Sequence, residues 1–337
     1  MGLKPIIRGI LTYVPSLSAF VTKRTGGTNS ARYCYSVWLR HLVMAQQHGL
    51  ATQPQVIAEL GPGDSLGIGL AALLSGAESY YALDIVDYAN TQANLVIFHE
   101  LVNLFLRKEL IPDEQEFPAL RPLLESYEFP REILTDERLA QSLSSNRIQL
   151  IAEAISGTGD SKKRPIGIHY IVPWYDDRVI RAQSVDMIFS QAVLEHVDNL
   201  TQTYQSLHRW LKADGFMSHQ IDFGCHGLAK KWNGHWAYSD LAWKIVRGKR
   251  SYLLNRYPYS VHKRLLEQCG FNIVAEVKTF DDSGLARAHL SSSFQAISDE
   301  DLTTRTVHIL AWRTRDERRT TRDESVRGSV PTMGYRV

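Results

Sequence analysis

The 337-residue sequence has little cysteine and no excess of charge of either sign. Its three cysteines, Cys34, Cys225 and Cys269, are far apart in the chain and form no Cys-x-x-Cys pair. This pattern argues against a disulfide framework or a zinc cluster and fits a reducing compartment such as the cytoplasm. Because 38 Lys and Arg residues are balanced by 36 Asp and Glu residues, we expect no nucleic-acid partner.

The sequence also lacks an apolar run long enough to cross a bilayer. Near the N-terminus, Lys4 and Arg8 precede a short apolar segment that Pro15 interrupts, and no Ala-x-Ala cleavage site follows. We therefore expect no secretory signal. The segment is expected to pack on the domain as a cap, or to lie on a membrane surface as a short amphipathic helix.

Residues 56–84 contain the most informative pattern in the chain. An apolar run ends near the acid Glu59, glycines follow at Gly61 and Gly63, a segment rich in Ala and Leu comes next, and a second apolar run ends at Asp84. This order predicts a strand, a glycine turn, a helix and a second strand. Glycines without a Cβ allow the backbone to turn sharply and to approach a ligand closely, so the pattern predicts a nucleotide pocket.

Two common kinds of nucleotide site do not fit this segment. No Lys follows the glycines, so it is not a phosphate-binding loop, and Leu66 stands where a dinucleotide fingerprint requires Gly or Ala. A carboxylate at Glu59 would repel a pyrophosphate, but it suits a ligand that is cationic there, such as the amino group and sulfonium of S-adenosylmethionine. Asp84, about twenty residues further on, can accept hydrogen bonds from two ribose hydroxyls.

At these residues the chain resembles the class I S-adenosylmethionine-dependent methyltransferases, in which an acid precedes Gly-x-Gly-x-x-x-Gly. Residues 184–197, which include the sequence Val-Leu-Glu-His-Val, and residues 207–223 are similar to later segments of the small-molecule and lipid branch of that family. The resemblance implies an α/β, Rossmann-like, seven-stranded, mostly parallel sheet whose last strand is antiparallel. It also implies S-adenosyl-L-methionine as cofactor. The residues expected to bind it are Glu59, Gly61, Gly63, Asp84, Ile85 and Gln191.

The remaining sequence is expected to surround this sheet with helices. We predict an N-terminal helical cap over residues 1–50, a methyltransferase domain over 51–312 and a disordered tail over 313–337. Helical insertions are expected at about 95–165 and 224–257. Helices are predicted at 31–48, 95–110, 117–127, 137–155 and 259–269, and the later strands at 168–172, 187–190, 216–223, 271–280 and 306–313.

Several side chains have two alternative interpretations at this point. The first helix contains Arg32, Tyr33 and Trp38, which could touch the cofactor or belong to the core and the solvated surface. Trp174 could pack beside the purine or fill the core, and Asp176 and Asp177 are the nearest carboxylates for the adenine amino group. The aromatic residues of 232–257 could form a substrate wall for a sugar or phenol, or be core; they include Trp232, His235, Trp236, Tyr238, Trp243, Tyr252 and Tyr257.

The candidate catalytic residues follow the fourth and fifth strands. They are Asp222, His226 and His196, each a possible general base. We expect no metal, because His219 and Asp222 are three residues apart on a strand and point to opposite faces. The sequence favours O-methylation of a small molecule or sugar. N- or C-methylation and a non-catalytic cofactor-binding protein are the alternatives, whereas Glu59 and Leu66 argue against a nicotinamide-dependent oxidoreductase.

Overall fold

The computed structural model describes residues 3–14, 27–158, 165–174, 176–250 and 253–314. Seven strands form one sheet: β1 Val56–Leu60, β2 Ser79–Leu83, β3 Gly167–Ile171, β4 Val185–Gln191, β5 Leu211–Asp222, β6 Phe271–Phe280 and β7 Thr304–Arg313. Its helices are α1 Leu3–Leu11, α2 Ala31–Gln47, α3 Gly67–Leu74, α4 Thr91–Arg107, α5 Asp136–Ser142, α6 Ser145–Ser156, α7 Leu200–Trp210, α8 Asp240–Arg247, α9 Tyr259–Gln268 and α10 Asp299–Thr303.

The strand order is β3-β2-β1-β4-β5-β7-β6. All neighbours up to β5 are parallel, whereas β7 runs antiparallel to both β5 and β6. The predicted fold class, a seven-stranded mostly parallel sheet with an antiparallel last strand, is therefore confirmed. The order in which strands are added reverses between β1 and β4, and an open α/β sheet presents its ligand crevice beyond the carboxyl ends of the strands at such a switch point.

Helix α2 shows why the predicted helix at 31–48 forms. Ser30 caps its first turn by accepting a hydrogen bond from the Tyr33 amide, and most of its residues are buried against α3 and α4. Arg40 is buried within this interface, and its guanidinium donates to the carbonyl oxygens of Pro112 and Pro122. Burial lowers the pKa of Arg40. The helix therefore holds the irregular segment after α4 against the sheet.

Two details of the predicted insertion at 95–165 are wrong. Residues 117–127 form no helix, because Pro118 and Pro122 lack the amide N–H that a helix interior needs. The segment is held instead by its contacts with Arg40. The predicted helix at 137–155 consists of two helices, α5 and α6, which Leu143 and Ser144 separate.

The chain ends were also predicted. Helix α1 packs against α8, in the predicted second insertion, rather than against α2. Among the described residues, no helix is both long and apolar enough to cross a membrane. The predicted tail begins at 313, but Arg313 is the last residue of β7. Residues 315–337 lie outside the described residues.

Candidate active site

The glycine turn lies directly after β1 at the centre of the sheet. Gly61 and Gly63 have φ angles of +62° and +75°, a region that side chains rarely adopt. A Cβ on Gly61 would come within 2.7 Å and 2.9 Å of the two methyl groups of Val193, in the loop after β4. Glycine is thus required at position 61 for two reasons, its backbone conformation and the closeness of a neighbouring loop.

Asp84 connects the end of β2 to this turn. Its carboxylate accepts hydrogen bonds from the amides of Gly63, Ile85 and Val86, at 3.3, 2.7 and 3.3 Å. Burial raises the pKa of Asp84, against the effect of these amides. Its Oδ2 atom accepts one of the three bonds and Oδ1 the other two, so Oδ2 retains a lone pair for a further donor. The carboxylate is fixed at the edge where a ribose would lie.

Glu59 faces the interior below helix α3. Its carboxylate accepts a short hydrogen bond from the Tyr80 hydroxyl on β2, and burial raises its pKa to about 8. The Tyr80 ring lies against the helix so closely that a Cβ on Gly69 would be 2.0 Å from it. The sequence analysis did not identify Tyr80 or Gly69, because the pairing depends on the register of β1 with β2, in which Glu59 lies opposite Ala82.

The loop after β4 connects the turn to the rest of the site. The amide of Ala192 donates to the Gln220 carbonyl at 3.0 Å, and the Gln191 side chain donates to the Arg121 carbonyl at 3.2 Å. The segment that replaces the predicted helix at 117–127 therefore reaches the carboxyl edge of the sheet. Gln191 is half-buried between this segment and β4.

A cluster of charged residues stands at the carboxyl end of β5. Asp222 Oδ2 lies 3.3 Å from His226 Nε2, and Asp222 Oδ1 lies 2.9 Å from Arg305 Nη1. Burial alone would raise the pKa of Asp222, but the hydrogen bond with His226 and the charge of Arg305 lower it below its usual value. Asp222 is therefore held ionised beside an imidazole. Arg305 comes from β7, and nothing in its local sequence identified it.

Glu195 and His196 bring the loop after β4 to the same cluster. Glu195 Oε1 accepts from the Asp222 amide at 3.3 Å, and the rings of His196 and His226 are 5.2 Å apart. Burial, followed by the charge of Asp222, raises the pKa of Glu195 well above its usual value. The structure thus brings together all three predicted catalytic candidates, Asp222, His226 and His196.

A metal could be held here by a trio that the sequence analysis did not consider. Potential ligand atoms of Glu195, His196 and His226 all lie within 4.8 Å of one another. Within the described residues, Glu195 Oε2 has no hydrogen-bond partner. His219 is not part of this group, since it is buried with its Nδ1 atom 2.7 Å from Ser190 Oγ. Burial lowers the pKa of His219 to about 3.

Asn255 fixes the loop that contains Glu195. Its amide donates to the Glu195 carbonyl at 2.7 Å, and its side chain donates to the carbonyls of Leu194 and Val197 at 2.8 and 2.9 Å. Asn255 lies within the aromatic segment 232–257, where no sequence pattern assigned it a separate role. Its partners are about sixty residues away in the chain, and no local pattern identifies them.

Most of the residues with two interpretations belong to the core. Trp38 is buried and donates to Ser75 Oγ, Arg32 pairs with Glu116, and the Tyr33 ring packs on Phe117. In the predicted second insertion, the buried aromatic residues are Trp232, His235, Trp236, Tyr238 and Trp243. Tyr257 is exposed, and Tyr252 lies outside the described residues.

The three adenine candidates lie near β3. Trp174 packs edge-on against Trp210, and the carboxylates of Asp176 and Asp177 pair with Arg178 and Arg209. All three side chains therefore have partners within the protein. The adenine contact stays a prediction.

The chain was compared with known proteins. Residues 148–218 match a family model described as a methyltransferase domain. A methyltransferase from Methanosarcina mazei has a similar structure, with 13% identity over 80% of this chain and 97% of that chain and a TM-score of 0.41. Phosphoethanolamine N-methyltransferase 2 from Haemonchus contortus has 14% identity over 82% and 53%, with a TM-score of 0.40.

The carbon methyltransferase CurJ has 14% identity with this chain and a TM-score of 0.35. The match covers 81% of this chain and 52% of that chain, so this chain spans about half the length of that relative. No curated protein sequence matches the chain.

The sheet has the strand order and the central glycine turn that the resemblance implied, and the family match falls on α6 to β5 of this sheet. Over residues 148–218 the chain is similar to a methyltransferase domain.

Proposed function

We propose that the protein transfers a methyl group from S-adenosylmethionine to a hydroxyl of a small molecule or a sugar. The observation that carries the proposal is the contact between Asp222 and His226 at the carboxyl end of β5. A hydroxyl is a weak nucleophile that benefits from a general base, whereas a neutral amine can attack without one. An ionised carboxylate beside an accessible imidazole supplies such a base.

The residues around the glycine turn fit the cofactor. Gly61 and Gly63 leave backbone open to a close approach, and Asp84 presents a fixed carboxylate with a remaining lone pair. We propose that Gly61, Gly63 and Asp84 hold the nucleoside, and that Ile85 and Gln191 border it. Glu59 is proposed to contact the methionine part from below the turn. When bound, the cofactor supplies a methyl group on a cationic sulfur.

The proton is proposed to move to His226. Because Nε2 of His226 faces Asp222, its Nδ1 atom is available to take the proton of the acceptor hydroxyl. Asp222 then stabilises the imidazolium, and Arg305 keeps Asp222 ionised. His196, beside His226, is proposed to confine the ring rather than to take the proton. The segments around the cluster are proposed to align the acceptor and to exclude water from the cleft.

We further propose that residues 51–312 form the methyltransferase domain and that its insertions, 95–165 and 224–257, select the acceptor. The bond from Gln191 to the Arg121 carbonyl and the bonds from Asn255 to the loop of Glu195 support this, since each insertion reaches the catalytic edge. Residues 1–50 are proposed to cover the domain, and nucleic acid is not expected as substrate. N- or C-methylation and a non-catalytic role are the alternatives.

An assay with radiolabelled S-adenosylmethionine tests the proposal. Matched acceptors that differ in one group, a phenol, an aniline and a thiol among them, would be compared in the wild-type protein and in His226→Gln. Of these acceptors, we expect only the phenol to lose most of its methyl transfer in His226→Gln. Transfer to the amine that is equally fast in both proteins, with none to the hydroxyl, would favour N-methylation. Cofactor binding without transfer to any acceptor would favour the non-catalytic role.

Helix α1 supports a peripheral contact with a membrane. It buries Pro5 and Gly9 and packs Ile6 against the protein, but exposes Ile7 and Ile10. A helix on a globular surface normally buries its apolar face.

The neighbouring helix α8 continues this face. Its Leu241 is 72% exposed and its Ile245 is also exposed, and Lys244 lies between them in the sequence. Apolar side chains next to cations suit an anionic lipid surface. We propose that this face docks on such a surface from the cytoplasm.

Co-sedimentation with vesicles of phosphatidylcholine and phosphatidylglycerol tests this contact. We expect the double variant Ile7→Gln/Ile10→Gln to lose vesicle binding, and Leu106→Gln, an equally exposed leucine on α4, to retain it. Unchanged binding of the double variant would contradict the proposal. So would a concentration-dependent dimer that the double variant abolishes, because the face would then bind a second copy of the chain.

A further inference from the structure

A cavity opens beside the catalytic cluster. It has a volume of about 700 Å³ and lies between helix α1 and the segment that follows β5. His226 stands on its wall, so the imidazole that contacts Asp222 also faces this space. The cavity is therefore next to the group proposed to accept the proton.

The cavity is lined by cations and by apolar side chains. Lys4 and Arg8 come from α1, and Lys230 and Lys231 come from the segment after β5. Its apolar wall includes Pro5, Leu228, Ala237 and Leu285, and its lining contains no carboxylate. Among the described residues, none of the four cations lies within 4.0 Å of a carboxylate as an ion pair. Four positive charges around one cavity favour an anion.

Helix α1 is held firmly enough to keep its cations in place. A Cβ on Gly9 would be 1.8 Å from the Ile245 carbonyl oxygen, so the backbones of α1 and α8 are in contact. The Lys249 amide donates to Thr12 Oγ1 at 2.9 Å. Lys4 and Arg8 are four residues apart and so lie on one face of the helix. That face borders the cavity.

We propose that this cavity binds the acceptor and that the acceptor carries a phosphate group. The phosphate lies against Lys4, Arg8, Lys230 and Lys231, and the hydroxyl to be methylated lies at His226. This inference rests on the proposed O-methyl transfer. The acceptor oxygen forms a bond to the methyl carbon while the bond from that carbon to sulfur breaks and its electron pair stays on sulfur. The hydroxyl proton moves to His226, so charge and atoms balance.

The first experiment measures binding of inorganic phosphate by calorimetry, with chloride keeping the ionic strength constant. We expect the wild-type protein to bind phosphate, and the double variant Lys230→Gln/Lys231→Gln to bind it roughly tenfold more weakly. Arg131→Gln is the control, because Arg131 is an exposed cation in the other insertion. Equal affinities in the wild-type protein and the double variant would overturn the proposal, as would an equal loss in the control.

A second readout places the anion beside the base. Phosphate should shift the imidazole NMR signals that disappear in His226→Gln, because His226 lines the same cavity. Shifts at other histidines but not at His226 would overturn the proposal. Glucose 6-phosphate and phosphatidylglycerol vesicles would then compete with inorganic phosphate separately. Competition by the first supports a soluble phosphate ester, and competition by the vesicles alone supports a lipid headgroup.

The same proteins are titrated with S-adenosylmethionine. This titration distinguishes a failure of the proposed function from a failure of the inference about the acceptor. The double variant is expected to bind the cofactor as the wild-type protein does, since no residue of the glycine turn lines the cavity. Phosphate binding at Lys230 and Lys231 without any cofactor binding would contradict the proposed function and leave the anion site standing. Cofactor binding and methyl transfer without phosphate binding would contradict only the inference about the acceptor.

Discussion

The two halves of the candidate site are built in different ways. The half around the glycine turn comes from consecutive elements, β1, α3 and β2, and its residues from Glu59 to Asp84 lie within one short stretch. The half around His226 combines parts from distant stretches, which include Glu195, Asp222, Asn255 and Arg305. The proposed cofactor half is thus built by local structure, and the proposed acceptor half depends on long-range contacts.

The largest expected effect separates the chemistry of the second half from cofactor binding in the first. We expect His226→Gln to lower the turnover of a hydroxyl acceptor roughly 100- to 10,000-fold, as the loss of a general base does. Cofactor affinity should stay within about twofold. Steady-state assays with radiolabelled cofactor measure turnover, and a pH profile follows the base. If KM for the acceptor rises while kcat is unchanged, His226 binds the acceptor and is not the base.

The first half is tested by a substitution at its tightest position. Gly61→Ala should weaken cofactor binding and lower the free energy of unfolding by about 2–4 kcal/mol, from the positive φ and the clash with Val193. Calorimetry and denaturant unfolding measure the two effects.

Gly157→Ala is the matched control for this substitution. Gly157 has a φ of +68° and open space around it. Its substitution by Ala should therefore lower the free energy of unfolding by only about 1–2 kcal/mol and leave cofactor binding unchanged. Adding Val193→Ala to Gly61→Ala should recover part of the loss. Equal effects of the two glycine substitutions would show that the contact with Val193 is unimportant.

The long-range contacts of the second half can be weakened at one residue. Asn255→Ala removes the side-chain donor to the carbonyls of Leu194 and Val197, which should cost about 1–3 kcal/mol. We expect turnover to fall while cofactor affinity is retained, because the loop positions Glu195 and His196. Asn272→Ala, on the exposed side of β6, is the control. A loss of cofactor affinity in Asn255→Ala would contradict the separation of the two halves.

The pH dependence of stability tests the buried acid of the first half. The pKa of Glu59 is raised from 4.5 in the unfolded chain to about 8 in the folded protein. The contribution of Glu59 to the free energy of unfolding is fully present below pH 4.5 and is lost as the pH rises through about 8. The free energy of unfolding therefore changes by at most about 1.4 kcal/mol per pH unit in this range. Denaturant unfolding of Glu59→Gln between pH 5 and 8.5 should show a flatter profile than the wild-type protein.

The smallest expected effect concerns metal. We expect EDTA to leave turnover unchanged, because the proposed base, His226 beside Asp222, needs no metal. The trio of Glu195, His196 and His226 offers the geometry for the contrary result. Loss of turnover in EDTA that zinc or magnesium restores would show that these residues bind a metal.

The same contrast explains what the sequence could predict. The fold and the residues of the turn could be read because Glu59, Gly61 and Asp84 occupy positions fixed by alternating strands and a local turn. Asp222, His226 and His196 were identified as candidates because they follow strand ends. The hydrogen bonds from Asn255 and the charge of Arg305 could not be predicted, since both depend on which distant segments meet.

The error at residues 117–127 has a local and a long-range part. Pro118 and Pro122, which disfavour a helix, are visible in the sequence, whereas the contacts of Arg40 are not. The spacing of Leu and Phe resembles that of a helix, and the sequence does not show that Arg40 bonds to the carbonyls of Pro112 and Pro122. Likewise, a strand that reads Ser-Tyr-Tyr-Ala-Leu does not reveal which tyrosine meets Glu59. Partners that come from another element are set by packing and register, not by the local pattern.

The most direct test of the account is a calorimetric titration with S-adenosylmethionine and its demethylated product. The wild-type protein, Asp84→Ala and His226→Gln would be measured side by side. The account predicts that the wild-type protein and His226→Gln bind both ligands with similar affinity, and that Asp84→Ala binds neither. Retained affinity in Asp84→Ala, or lost affinity in His226→Gln, would contradict the division of the site into a cofactor half and an acceptor half.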